Sequence, residues 1–219
     1  MQILANMLRK LTAGILCGLS LLVVLNSHAS TEQQWRFRVY LDDREIGHHH
    51  FTLTQTGTQQ RLATRAEFDV TFLKIPLFRY RHANVEHWND NCLQRISSNT
   101  DQNGKQFHVE GMTTAGGFRI SSNSGEHTLP ACVSSFAYWD KSFLGQGRLL
   151  NSQTGEYVDV VVEYLGENPL AAGDTAIPAR HYRLTADDLD IEVWYSPDDR
   201  WLALQSTTAN GSRLRYVAE

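Results

Sequence analysis

The sequence predicts a mainly β protein: an antiparallel, strongly curved sheet or open barrel with one short helical segment, behind a cleaved signal peptide. Three observations predict it. Apolar and polar residues alternate with period two along most of the chain, turn residues recur between these runs, and residues 1–29 have the order of an export signal.

In that signal, Arg9 and Lys10 precede an apolar run from Leu11 to Leu25, which ends in the small-x-small motif Ser27-His28-Ala29. Cleavage after Ala29 leaves a single β-rich domain, 30–219. The apolar run is about 15 residues, short of the roughly 20 that a helix needs to span a bilayer, so the mature chain is expected to carry no transmembrane segment. Leu16 stands where a lipoprotein signal places a small residue, so no lipid is expected on Cys17. The address implied is the periplasm, with secretion as the alternative.

Removing the signal leaves 18 basic and 24 acidic residues, a net charge of −6 with histidines neutral. Nucleic acid is therefore not an expected partner, because binding it calls for a basic surface. Two cysteines remain, Cys92 and Cys132. In an oxidising compartment an even count reads as a disulfide, with two buried free thiols as the alternative. Neither has a second Cys at the spacing of a zinc motif, so no metal is expected.

The elements follow in order. Trp35, Phe37, Val39 and Leu41 alternate with Arg36, Arg38 and Tyr40; Asp42-Asp43-Arg44-Glu45 supplies a turn, and His48 to Leu53 returns as the hairpin partner. Leu62, Thr64, Ala66, Phe68 and Val70 form the next run, which Pro76 ends or bends. Cys92 to Ser98 and Lys105 to Met112 flank Asp101-Gln102-Asn103-Gly104, a hairpin connection with Gly where positive φ is needed. Phe118 to Ser121 and Glu126 to Leu129 pair in the same way across Ser122 to Gly125. Ser134 or Ser135 is a candidate cap for a short helix through Trp139 towards Leu144, ended by Gly145 and Gly147. Tyr157 to Tyr164, Ala179 to Thr185, Asp190 to Tyr195, Trp201 to Ser206 and Arg213 to Val217 are further strands, and Asn168-Pro169 to Gly173 reads as a loop or single turn. About a dozen antiparallel strands in one domain must close into a barrel or stack as two sheets, because open edges invite aggregation. The segment around Trp139 is placed to plug such a barrel.

No G-x-S-x-G elbow, H-E-x-x-H, P-loop or helix-opening G-x-G-x-x-G is present, and no cofactor is called for. In His48-His49-His50 the alternation sets His49 on the apolar face with Phe51 and Leu53, and His48 and His50 on the polar face. Along Leu77 to Trp88 two registers are open. As one unbroken strand, Phe78, Tyr80, His82, Asn84, Glu86 and Trp88 share a face, an aromatic and polar line suited to a ligand cavity. With a bulge near Arg81, Ala83 and Val85 turn inward and the polar set is solvated. The aromatic segment Phe136-Ala137-Tyr138-Trp139-Asp140 is either a pocket lip or ordinary core.

Several of these segments resemble known proteins. Glu192-Val193-Trp194-Tyr195, the Ser196-Pro197-Asp198-Asp199 turn, Trp201-Leu202-Ala203-Leu204 and Leu214-Arg215-Tyr216 resemble the terminal hairpin of exported, β-rich bacterial families of unknown function. Ile46-Gly47-x-His49, Trp88 to Cys92 and Phe136 to Asp140 resemble more specifically the family numbered 6134 among domains of unknown function. The resemblance implies a periplasmic, mostly antiparallel protein and carries over no catalytic residue. The favoured function is binding of an apolar or amphipathic small molecule, a lipid being one candidate, by Phe78, Tyr80, His82, Trp88, Tyr138 and Trp139. An envelope enzyme using an acid/base site among His82, Glu86, His87, Tyr138 and Asp140 is the first alternative, and a structural envelope protein the second.

Overall fold

Alternating sequence becomes alternating burial along nearly every strand of the computed structural model, which describes residues 29–72, 75–172, 175–186, 189–208 and 210–219. The export segment, apart from Ala29, lies outside the described residues. The strands are β1 Thr31–Leu41, β2 Arg44–Thr56, β3 Gln59–Phe72, β4 Ile75–Asn89, β5 Cys92–Gln102, β6 Lys105–Thr114, β7 Gly117–Ser122 and β8 Gly125–Leu129. After a 3-10 turn at Lys141–Gly145 come β9 Arg148–Leu150, β10 Tyr157–Asp159, β11 Val161–Glu167, β12 Leu170–Ala172, β13 Thr175–Ile177, β14 Arg180–Ala186, β15 Leu189–Tyr195, β16 Trp201–Thr207 and β17 Arg213–Ala218.

Thirteen strands join one sheet in the order β11-β14-β15-β16-β17-β1-β2-β3-β4-β5-β6-β7-β8, and β9 with β10 and β12 with β13 make two small ribbons. Every ladder in the large sheet is antiparallel, and its end strands β11 and β8 do not pair, so the curved sheet stays open. Tight turns fix the register. Asp90-Asn91 (φ 50° and 60°) links β4 to β5, and Asn103-Gly104 (φ 54° and 87°) links β5 to β6. Positive φ at both central residues gives the hand that matches strand twist, and Asn, Asp and Gly reach it most cheaply.

Inward residues of the sheet meet the segment that follows β8. Phe37, Phe51, Leu53, Leu62, Leu93 and Ile96 pack with Val133, Ala137, Phe143, Leu149 and Leu150 in one buried cluster, so this segment fills one end of the curved sheet. It is tied at its start by the Cys92–Cys132 disulfide, whose Cα atoms lie 5.0 Å apart, and by the Leu93 amide donating to the Val133 carbonyl. Further along, Ser135 bridges to Leu150, and the Tyr195 hydroxyl donates to the Tyr138 carbonyl at 2.7 Å. A smaller cluster of Val39, Ile46, Ala66 and Phe68 lies toward the other end.

The expected architecture is observed: a strongly curved antiparallel sheet plugged by the segment around Trp139. Local differences have physical causes. Ser134 and Ser135 cap no helix; the single 3-10 turn begins later and is capped by Asp140, whose carboxylate accepts from the Ser142 amide. Ser135 is committed to tertiary contacts instead, its backbone to Leu150 and its hydroxyl to Glu86. The run Tyr157 to Tyr164 divides where the Val160 amide leaves the strand to donate to Gly147, separating β10 from β11. The loop expected at Asn168 to Gly173 contains β12, and Pro76 stands inside β4 at a register shift, where its missing N–H is tolerated.

Candidate functional site

The strand β4 decides the site. Its ladder with β3 runs unbroken from Phe78 to Asn89, and its irregularities fall at Val70/Thr71 on β3 and at His87/Trp88 against β5, not at Arg81. His82, Asn84, Glu86 and Trp88 therefore all point inward and are buried, while Ala83 and His87 are exposed. A row of polar side chains inside a sheet must be hydrogen-bonded or must line a cavity, and both conditions occur along this row.

At the end opposite the plug the sheet holds an open cavity of about 800 Å³, walled by Ile46, Phe68, Val70, Phe78, Leu204 and Leu214 among others. It continues into a smaller inner chamber of about 190 Å³ that includes His82, Asn84, Glu86, Phe136 and Trp139. His49, Tyr80, Tyr138, Gln153, Leu189 and Tyr216 line both spaces and mark where one passes into the other. Gln153 spans part of this junction, accepting from the Tyr80 hydroxyl and donating to Gln102, each at 3.0 Å.

The chamber floor is a polar knot. Glu86 is 2% exposed and accepts from Asn84 Nδ2 at 2.9 Å, Trp88 Nε1 at 3.0 Å and Ser135 Oγ at 3.2 Å. All three donors are neutral. Burial pushes the Glu86 carboxyl above its ordinary range, although these hydrogen bonds act in the opposite direction. Burial also takes His82 down to about 4, with its Nδ1 2.8 Å from Thr100 Oγ1. His49 is held well below its ordinary value by burial first, then by His82 and His50, and its Nδ1 lies 3.2 Å from the Tyr216 hydroxyl. Both imidazoles are therefore neutral near neutral pH.

Of the residues singled out in the sequence, Phe78, Tyr80, His82, Tyr138 and Trp139 line these spaces. Trp88 does not. It is 3% exposed beneath the floor, edge-on to Trp139 with ring centres 5.8 Å apart. In the proposed acid/base set, His82, Glu86 and Tyr138 come together, whereas His87 faces outward and Asp140 is used as the cap of the 3-10 turn. The walls contributed by β15, β16 and β17, notably Ile191, Leu204 and Tyr216, were legible only as strand alternation, because nothing local shows which sheet face encloses space. Among the described residues there is no cluster of three or more His, Cys, Asp or Glu able to hold a metal, and no helix long and apolar enough to cross a membrane.

Fold and cavity define an open, plugged antiparallel barrel with an apolar cleft. The chain belongs to the family described as Domain of unknown function (DUF6134), which matches residues 37–219. The crystal structure of a beta-barrel-like protein of Domain of Unknown Function DUF1849 from Brucella abortus is similar, with a TM-score of 0.63 at 9% identity over 85% of this chain and 94% of that one. At that identity the likeness speaks for the fold alone. No curated protein sequence matches the chain.

Proposed function

We propose that this is an exported, soluble periplasmic protein that holds an apolar or amphipathic small molecule, of lipid type, in the open end of its curved sheet. The supporting observation is the cavity of about 800 Å³, which is walled largely by apolar side chains and falls in the size range of small-ligand sites. A filled structural core would leave no such space.

The acid/base reading is less well supported by the same geometry. Glu86 is enclosed by three donors and His82 is paired through Nδ1 with Thr100, so both groups are engaged in holding the floor together. General acid/base work instead calls for a group that reaches a substrate proton.

Native mass spectrometry of protein purified from its own compartment is expected to show a small-molecule adduct, and its amino-terminal sequence is expected to begin at Ser30. Trp139→Ala should weaken uptake of a fluorescent neutral-lipid probe while the far-UV circular dichroism stays unchanged. Absence of both adduct and probe binding in the wild-type protein would remove this function.

A further inference from the structure

Among the described residues, neither the cavity nor its inner chamber is lined by any Lys or Arg, and Glu86 is the sole carboxylate of both walls. That carboxylate is not open to a cation. Its Oε2 takes two donors, its Oε1 takes one, and the side chain is almost fully enclosed. Burial disfavours the ionised form of Glu86, whose oxygens are in any case enclosed by its three donors, and keeps His49 and His82 neutral, so the described residues of the chamber present no open countercharge.

Three lining residues have enclosed polar atoms without a partner: Trp139 Nε1, Asn84 Oδ1 and His49 Nε2. The set is mixed. The indole N–H only donates, an amide oxygen only accepts, and the imidazole nitrogen does either according to its tautomer. Turning the Asn84 amide over, so that its oxygen accepts from a protonated Glu86, would leave its NH₂ as the unpaired group in place of the oxygen. Under either assignment the residues lining the chamber retain unpaired hydrogen-bonding capacity. A carboxylate head could use only donors here and an ammonium only acceptors, each bringing a charge into a chamber whose described walls offer it no open counterion.

We propose that the polar end of the ligand is uncharged and both donates and accepts hydrogen bonds, as a hydroxyl does, so that long-chain alcohols and monoacylglycerols enter head first while fatty-acid anions and alkylammonium ions are refused. This specificity rests on the binding function proposed above and deepens it.

The test uses the whole mature protein and three amphiphiles with one chain length: decanol, decanoate and decylammonium, each below its micellar concentration and near neutral pH. Each is titrated against protein loaded with the neutral dye Nile red. Decanol is expected to displace the dye at a concentration at least about tenfold lower than either ion, because an unpaired buried charge is penalised more heavily than a neutral polar group. Nuclear magnetic resonance of the Trp139 indole N–H supplies the orientation. Decanol should move that resonance as the N–H gains an acceptor, and decane, which has none, should leave it near its free position. Equal or tighter binding of decanoate or decylammonium would overturn the head-group specificity while leaving lipid binding intact. Displacement by decanol with no movement of the Trp139 signal would overturn it as well. Failure of the dye and all three amphiphiles to bind would remove the binding function itself, and the specificity with it.

Discussion

Glu86 carries a testable cost because its carboxyl is enclosed by neutral groups with no cation beside it. Its folded-state pKa lies above the ordinary 4.5, so its contribution to stability is fully present below that value and is lost as pH rises through the folded pKa. Glu86→Gln keeps an oxygen for Trp88 and Ser135 and removes the ionisation. Its melting temperature is expected to fall less than that of wild type between about pH 5 and about pH 8, and parallel curves would refute the assignment. His82 acts in the opposite sense. With the folded value near 4 and the ordinary value 6.5, the unfolded chain binds the extra proton between them, so stability declines as pH falls through that interval. A shift of that size corresponds to an upper figure on the order of 3 kcal/mol, and His82→Gln should flatten the acid limb of the stability profile. At this scale the sequence was partly legible. Alternation put His49 inside correctly, but the stretch around Arg81 also reads with a bulge, which the structure does not have there. Only the ladders with the flanking strands β3 and β5, where Arg81 stands opposite Glu67 and Asp101, distinguish the two.

Among the elements, the β5–β6 hairpin was legible because its turn needs positive φ and the sequence supplies Asn-Gly there, whereas the Asp90-Asn91 turn between β4 and β5 was not singled out. The place of the plug was legible but its local form was not, because Ser134 and Ser135 have the composition of helix caps and the fold uses Ser135 instead to reach Glu86 and Leu150. Gly47 on β2 sets a close approach to β3: it has φ +146°, and a methyl group there would lie 1.9 Å from the Glu67 carbonyl oxygen. Gly47→Ala must move backbone, so a loss of about 2 kcal/mol or more in urea unfolding is expected, and a neutral substitution would mean that β2 and β3 separate easily at this point. The disulfide fastens the plug to the start of β5 and closes a separation of 40 residues. Replacing Cys92 and Cys132 by Ser is expected to cost up to about 4 kcal/mol on the chain-entropy account. If the disulfide does nothing beyond restricting the unfolded chain, dye uptake by the folded variant will match wild type; a looser plug will lower it.

For the whole molecule, composition and alternation made the class of fold legible, since a dozen short alternating runs leave few ways to bury one face. The cavity was legible only in part. Its polar line lies on one strand, but its apolar walls come from β2, β3, β15, β16 and β17, which are brought together by closure of the curve rather than by any local pattern. That closure has a seam. β1 pairs with β17, from Phe37 opposite Ala218 to Leu41 opposite Leu214, so the earliest strand and the latest lie side by side in the middle of the sheet. For a ribosome delivering the chain amino end first, the two wings, β2 to β8 and β11 to β16, can each form their own strand pairings, yet no ladder joins them until β17 arrives. The pairings most distant in sequence thus complete the assembly, the kind that slows folding. A chain shortened before Arg213 should leave β1 and β16 as bare adjacent edges and appear as aggregate in gel filtration, whereas adding the missing segment as a separate peptide during refolding should restore monomer. Until that strand has emerged and paired the protein has two half-sheets and no complete cleft, so a ligand of the proposed kind could be held only after β17 is in place.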